Sequence, residues 1–151
     1  MLRKKFNRYL LYLREFFITL FDKKYTSSHA TKQSILVVRL DSWGDYILCR
    51  NFIEGLKKLS QYKNNEFILL GNKSWKEFAE LLDSEVYTKF IWVDVKLIVS
   101  SSSYRNEILK QLRDIGIHTI LHPVHSRQYA VDALIRNIDA EEKIAFKGDT
   151  R

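Results

Sequence analysis

From Ser34 onward, short apolar runs alternate with amphipathic helical patterns, and this alternation limits the fold more than any other feature of the chain. Residues 35–40 (Ile-Leu-Val-Val-Arg-Leu) read as a buried strand, continuous and β-branched, ended by Asp-Ser-Trp-Gly. The spacing of Leu48, Cys49, Phe52, Ile53, Leu56 and Leu59 predicts a helix over 45–60 with these residues inward. A second strand is expected over 67–70, closed by Gly71. Ser74 is placed to cap the next helix, with Glu77 as its capping-box partner and Phe78, Leu81 and Leu82 inward. Strands over 90–93, 118–121 and 143–146, and helices over 104–115 and 126–138, continue the pattern, with Gly116 as a helix C-cap. The serine run 100–103 reads as a loop that also caps the following helix. Strand and helix in alternation imply an α/β fold, a parallel sheet covered by helices on both faces. Such sheets take ligands at the carboxyl ends of their strands. The positions to inspect are therefore 41–45, 71–73, Asp94 and 122–127.

A length of 151 residues suits one main domain. With Cys49 as the single cysteine, neither an internal disulfide nor a cysteine-based zinc site can form. His122 and His125 are three apart in a loop, and no third ligand has suitable spacing, so no metal is expected. The net charge of +7 is uneven: residues 1–25 hold seven basic and two acidic side chains, which is +5 of the total.

That basic end forms its own unit. Over 2–21, Phe6, Tyr9, Leu10, Leu13, Phe16, Phe17, Leu20 and Phe21 make one broad apolar stripe at helical spacing. Lys4, Arg8, Glu15 and Asp22 fall opposite it, and Arg3, Lys5 and Arg14 flank it. The longest uncharged run, 16–21, is far short of the ~20 residues that cross a bilayer. Arg14 and Glu15 interrupt any secretory apolar core. One reading is an interfacial helix, with Phe6, Phe16 and Phe17 at the headgroup boundary and Arg3, Lys4 and Lys5 against anionic lipid. The alternatives are packing on the chain's own domain or on another protein. A stripe this apolar does not suit nucleic acid. The division is 1–25 for the helix, 26–33 for a polar linker, and 34–151 for the main domain.

The first strand-to-helix turn is Arg39-Leu40-Asp41-Ser42-Trp43-Gly44-Asp45. It lacks both G-x-G-x-x-G and the P-loop pattern, so no glycine cradle for a pyrophosphate is present. What remains is one glycine for a tight turn and an Asp at the start of a helix. The helix N-terminus favours an ionised carboxylate there, as a general base requires. An Asp in this place can equally serve as an N-cap. Asp41 can orient the turn.

The string I-L-V-V-R-L-D-S-W-G-D-Y-I-L-C-R-N-F-I-E-G-L-K-K resembles the opening of glycosyltransferase family 9, the heptosyltransferase-like group, whose first turn reads R-x-[DS]-x-x-G-D. Downstream, His-Pro-Val-His-Ser-Arg over 122–127 and Glu-Lys-Ile-Ala-Phe-Lys-Gly-Asp over 142–149 are similar to that family's P-x-x-S-R loop and K-I-G-F-x-G-D strand, with Ala145 in place of a glycine. The resemblance covers 35–149. It implies a Rossmann-like domain, the N-terminal, acceptor-side half of a GT-B fold, with Asp45 as catalytic base. It implies an acceptor site at Asp41, Trp43, Gly44, Ser126 and Arg127. The acceptor would be a lipid-linked glycan, often phosphorylated, and Arg127 suits an anion through its bidentate fork. Transfer would invert the sugar without an essential metal or cofactor. The nucleotide sugar is a co-substrate that a second Rossmann-like domain would hold. That donor domain is missing from this sequence, so the chain is expected to be half of a split or truncated enzyme, at the inner face of the cytoplasmic membrane. Two other readings stay open. One is a non-catalytic, membrane-associated module or partner subunit. The other is a receiver-like signalling domain with Asp41 and Asp45 as acidic partners and Asp94 as phosphoacceptor.

Overall fold

A computed structural model describes residues 34–150 together with Leu13 and Asp22; of 149 and 150 it describes the backbone. Apart from Leu13, whose backbone is helical, the helix expected over 2–21 lies outside the described residues. So do its Arg3, Lys4, Lys5, Phe6, Phe16 and Phe17, and the linker over 26–33. The strands are β1 (Ser34–Arg39), β2 (Glu66–Asn72), β3 (Lys89–Val93), β4 (Thr119–His122), β5 (Ser126–Arg127), β6 (Glu142–Ala145) and β7 (Asp149–Thr150). The helices are α1 (Trp43–Lys58), α2 (Lys76–Asp83), α3 (Val95–Ser100), α4 (Ser102–Ile115) and α5 (Tyr129–Asn137). A 3-10 turn, Lys73–Trp75, leads into α2.

Five strands form one parallel sheet in the order β3-β2-β1-β4-β6. The pleat splits each central strand between two cores. Leu36, Val38, Ile68, Leu70 and Ile120 face Ile98, Ile108, Leu112 and Leu134 of α3, α4 and α5. Ile35, Val37, Phe67 and Leu69 face Tyr46, Ile53, Trp75 and Ala79 on the α1 and α2 side. The Rossmann-like α/β fold with helices on both faces is thereby present, and the order runs outward from β1 in both directions. β5 and β7 make a separate two-residue parallel pair, Ser126 with Asp149 and Arg127 with Thr150.

This order removes the receiver reading. Receiver domains share the flavodoxin-like order 2-1-3-4-5, which sets the third strand beside the first. Here β2 separates β3 from β1. Asp94 instead caps α3, accepting from Lys96 N at 2.9 Å, and pairs with Lys73 Nζ at 2.6 Å. The Lys73 bond holds its carboxyl below the usual range.

Several local expectations are corrected. Helix α1 begins two residues early because Ser42, not Asp45, is its N-cap. The Ser74–Glu77 box is not used: Asn72 accepts from Ser74 N, and no side chain caps α2. Phe78, Leu81 and Leu82 are exposed. Trp75, Ala79 and Asp83 are the buried positions instead, four residues apart, with Trp75 and Ala79 in the core and Asp83 against Tyr46 and Arg50 of α1. The serine run is helical on both sides of Ser101, whose hydroxyl caps α4. Ser126 belongs to β5 and does not cap α5.

Asp22 does not lie on a solvated face. Its side chain is 0% exposed, and it pairs at 2.7 Å with Arg105 Nε, itself 0% exposed. Ser102 Oγ donates to its second oxygen at 2.7 Å. Arg105 Nη1 donates to Ile98 O at 2.6 Å. Asp22 is thus fixed to α3 and α4, on the sheet face opposite α1. Among the described residues no helix is long and apolar enough to cross a membrane.

Candidate functional site

In the observed strand order the two halves of the sheet diverge between β1 and β4, and the crevice at their carboxyl ends is where such sheets bind ligands. A cavity of about 440 Å³ lies there. Arg39 lines it from β1, Asp41 from the turn that follows, Asp45, Leu48, Cys49 and Phe52 from α1, Pro123 to His125 from the loop after β4, Ser126 from β5, and Phe146 from beyond β6.

Asp45 is exposed on the first turn of α1. Its backbone N–H reaches Ser42 Oγ at 3.4 Å, while the Ser42 hydroxyl donates to Asp45 Oδ2 at 2.7 Å. The bond holds one carboxylate oxygen and leaves Oδ1 to a ligand. Helix periodicity then places the next residue, Tyr46, in the core at 1% exposure, so one turn serves both the cavity and the fold.

Arg39 ends an otherwise apolar strand and is 4% exposed. Its Nη1 donates to Pro123 O at 2.7 Å and its Nη2 pairs with Asp41 Oδ2 at 2.7 Å, so it ties the two loops together. Arg39 Nε and Asp41 Oδ1 are buried without a hydrogen-bond partner. Burial raises the Asp41 carboxyl above its usual range against the opposing pull of Arg39.

The predicted site residues separate into two groups. Asp41, Asp45 and Ser126 meet around the cavity. Trp43, Gly44 and Arg127 are not among its lining. Trp43 packs on Phe78 with ring centroids 4.4 Å apart. Gly44 is not needed for the turn: an added Cβ would find nothing nearer than Ser42 Oγ at 3.9 Å, and its φ is not positive. Arg127 is turned to Asp132 Oδ1 at 3.0 Å and to Phe146 O at 3.4 Å. The glycine that the loop does require is Gly148, at φ +56°, where a Cβ would come within 2.5 Å of His125 O. That close crossing sets β7 beside β5 and so fixes Ser126.

Hydropathy patterning alone missed Arg39 and assigned Leu48, Cys49 and Phe52 to the core. Leu48 and Phe52 are instead exposed at the cavity, while Cys49, half-buried, packs against the core on the α1 side as expected and also lines the cavity. The charge breaking an apolar strand was the available signal for Arg39. Burial pushes the Cys49 thiol above the ordinary range. Cys49 is therefore expected to alkylate several-fold more slowly than free cysteine at pH 8 and to catch up as the pH rises. A mass-spectrometric time course with iodoacetamide reads this directly; labelling as fast as free cysteine would contradict it.

His122, 2% exposed, faces Val38 O through Nδ1 at 3.2 Å. A carbonyl only accepts, so Nδ1 carries the proton, and burial keeps the ring neutral by lowering its pKa. No group of three or more His, Cys, Asp or Glu side chains able to hold a metal ion occurs among the described residues. In comparisons with known proteins, no family model, curated protein or solved structure matches this chain.

Proposed function

We propose that this chain is the acceptor-binding half of an inverting glycosyltransferase, one that passes a heptose-like sugar from a nucleotide sugar to lipopolysaccharide or another cell-surface glycan. One observation carries the reading. The two segments that resemble glycosyltransferase family 9, the turn at 39–45 and the loop at 122–127, meet around one cavity at the divergence point of the sheet, with the Asp45 carboxylate exposed on its rim.

In this reading Asp45 Oδ1 accepts the proton of an acceptor hydroxyl as that oxygen bonds to the anomeric carbon. The bond from that carbon to the donor's phosphate oxygen breaks from the opposite side, and the nucleoside diphosphate leaves with its electron pair. Ser42 holds the carboxylate in one orientation, and Arg39 joins the two loops that bring acceptor and base together. The nucleotide sugar is held mainly by a second Rossmann-like domain. The basic segment 1–25 supports a peripheral place at the inner face of the cytoplasmic membrane, where a lipid-linked acceptor is concentrated.

The test is radiolabelled sugar transfer to lipopolysaccharide core in the enzyme reconstituted with its donor domain. Asp45→Asn is expected to lower the rate by about 10²–10⁴-fold, the range for loss of a general base. Acceptor binding should stay within about threefold, because the amide keeps an oxygen at the same place. Unchanged transfer by Asp45→Asn would refute the assignment. Acceptor binding with no transfer by the wild type would instead favour a non-catalytic module.

A further inference from the structure

We propose that the cavity between β1 and β4 takes an uncharged, hydroxyl-bearing ring, a neutral glycosyl unit, and discriminates against phosphorylated ones. This inference rests on the transfer reading above, whose acceptor it specifies.

Charge is the first ground. Arg39 is the one lysine or arginine lining the cavity among the described residues, and it is already engaged by Asp41 and Pro123 O at 2.7 Å each. Asp45 then adds an exposed carboxylate to the lining. A phosphate entering here would meet Asp45 and, among the described residues, find no uncommitted guanidinium or ammonium group in the lining. Arg127, the cation that sequence reasoning assigned to an anionic acceptor, is bound to Asp132 at 3.0 Å outside the lining.

Hydrogen-bonding character is the second. Asp45 lines the cavity with a carboxylate that is exposed, and Ser126 lines it with a hydroxyl. The Asp45 carboxylate only accepts, so it selects a ligand rich in O–H donors, which a sugar is and a phosphate dianion is not.

The walls are the third. Phe52 and Phe146, 55% and 56% exposed, join Leu48 and Val124 as apolar surface beside those acceptors. A pyranose ring has both kinds of surface, C–H faces and an equatorial rim of hydroxyls. The volume of about 440 Å³ falls within the range of small-molecule sites.

The experiment compares methyl glycosides of glucose, galactose and mannose with the corresponding 6-phosphates, on the full chain. It reads the methyl NMR signals of Leu48 and Val124 and the protection of Cys49 from iodoacetamide, at about pH 8.5 to stay above the imidazole range. Neutral glycosides are expected to shift these signals and slow alkylation, with the 6-phosphates at least about tenfold weaker. Asp45→Asn should narrow that gap to about threefold by removing the repelling charge. Phosphates that bind as tightly as the neutral sugars would overturn the inference and leave the transfer reading standing with an anionic acceptor. No effect from any sugar would overturn both.

Discussion

Replacing Arg105 with methionine in the full chain is expected to destabilise it by about 3–5 kcal/mol, the usual cost of removing one partner from a buried ion pair. The reason is what stays behind. Asp22, at 0% exposure, would keep only the Ser102 hydroxyl as a partner, and Ile98 O would lose its donor. Methionine fills much of the arginine's volume, so the loss measures charge more than packing. Urea unfolding checks it. The double variant Asp22→Asn with Arg105→Met should recover part of the loss, because no buried charge is then unpaired. A single variant within about 0.5 kcal/mol of wild type, the range of ordinary surface changes, would show that Asp22 is not held there.

The second large effect is at Asp83. Its carboxylate, 2% exposed, accepts from the Tyr46 hydroxyl and takes Arg50 through Nε at 3.1 Å and Nη2 at 2.7 Å. Alanine there should cost about 3–5 kcal/mol, since a buried phenol loses its acceptor and Arg50 its counter-ion. Asparagine keeps an acceptor and should cost less. The consequence reaches the cavity, because this knot pins α1 to the end of α2 at the residue after Asp45. Tyr46 also gives the knot a pH signature. Burial and its bond to Asp83 raise its pKa well beyond the ordinary tyrosine value. A group with a raised folded pKa contributes stability that is complete below the unfolded value near 10 and is lost as the pH climbs above it. Wild type should therefore lose stability above about pH 10 more steeply than Tyr46→Phe in denaturation series. Parallel curves would contradict it.

How much of this was legible in the sequence depends on the range of the interaction. The alternation after Ser34 is local, and it located the strands of the main sheet to within about two residues. The resemblance located Asp41, Asp45 and Ser126, three residues that the fold brings around one cavity. Phe78, Leu81 and Leu82 were misplaced because hydropathy counts Asp83 as polar, although Tyr46 and Arg50 make it the buried end of that helix's inner face. Leu48 and Phe52 were misplaced because an apolar residue on the inner side of α1 can meet either a strand or a cavity. That Arg127 turns toward Asp132 was not legible, because that partner is presented by the next helix.

The sequence by itself determined which segments are strands and which are helices, the parallel architecture that follows, and the single acidic turn after the first strand. These depend on periodicity and on side chains a few residues apart. Only the tertiary structure decided that β1 lies between β2 and β4, that β2 separates β3 from β1, that Arg39 is paired with Asp41 inside the crevice, and that Asp22 is buried against Arg105. Each of these depends on which groups distant in the chain are brought together, because burial and pairing are properties of the surroundings and not of the residue.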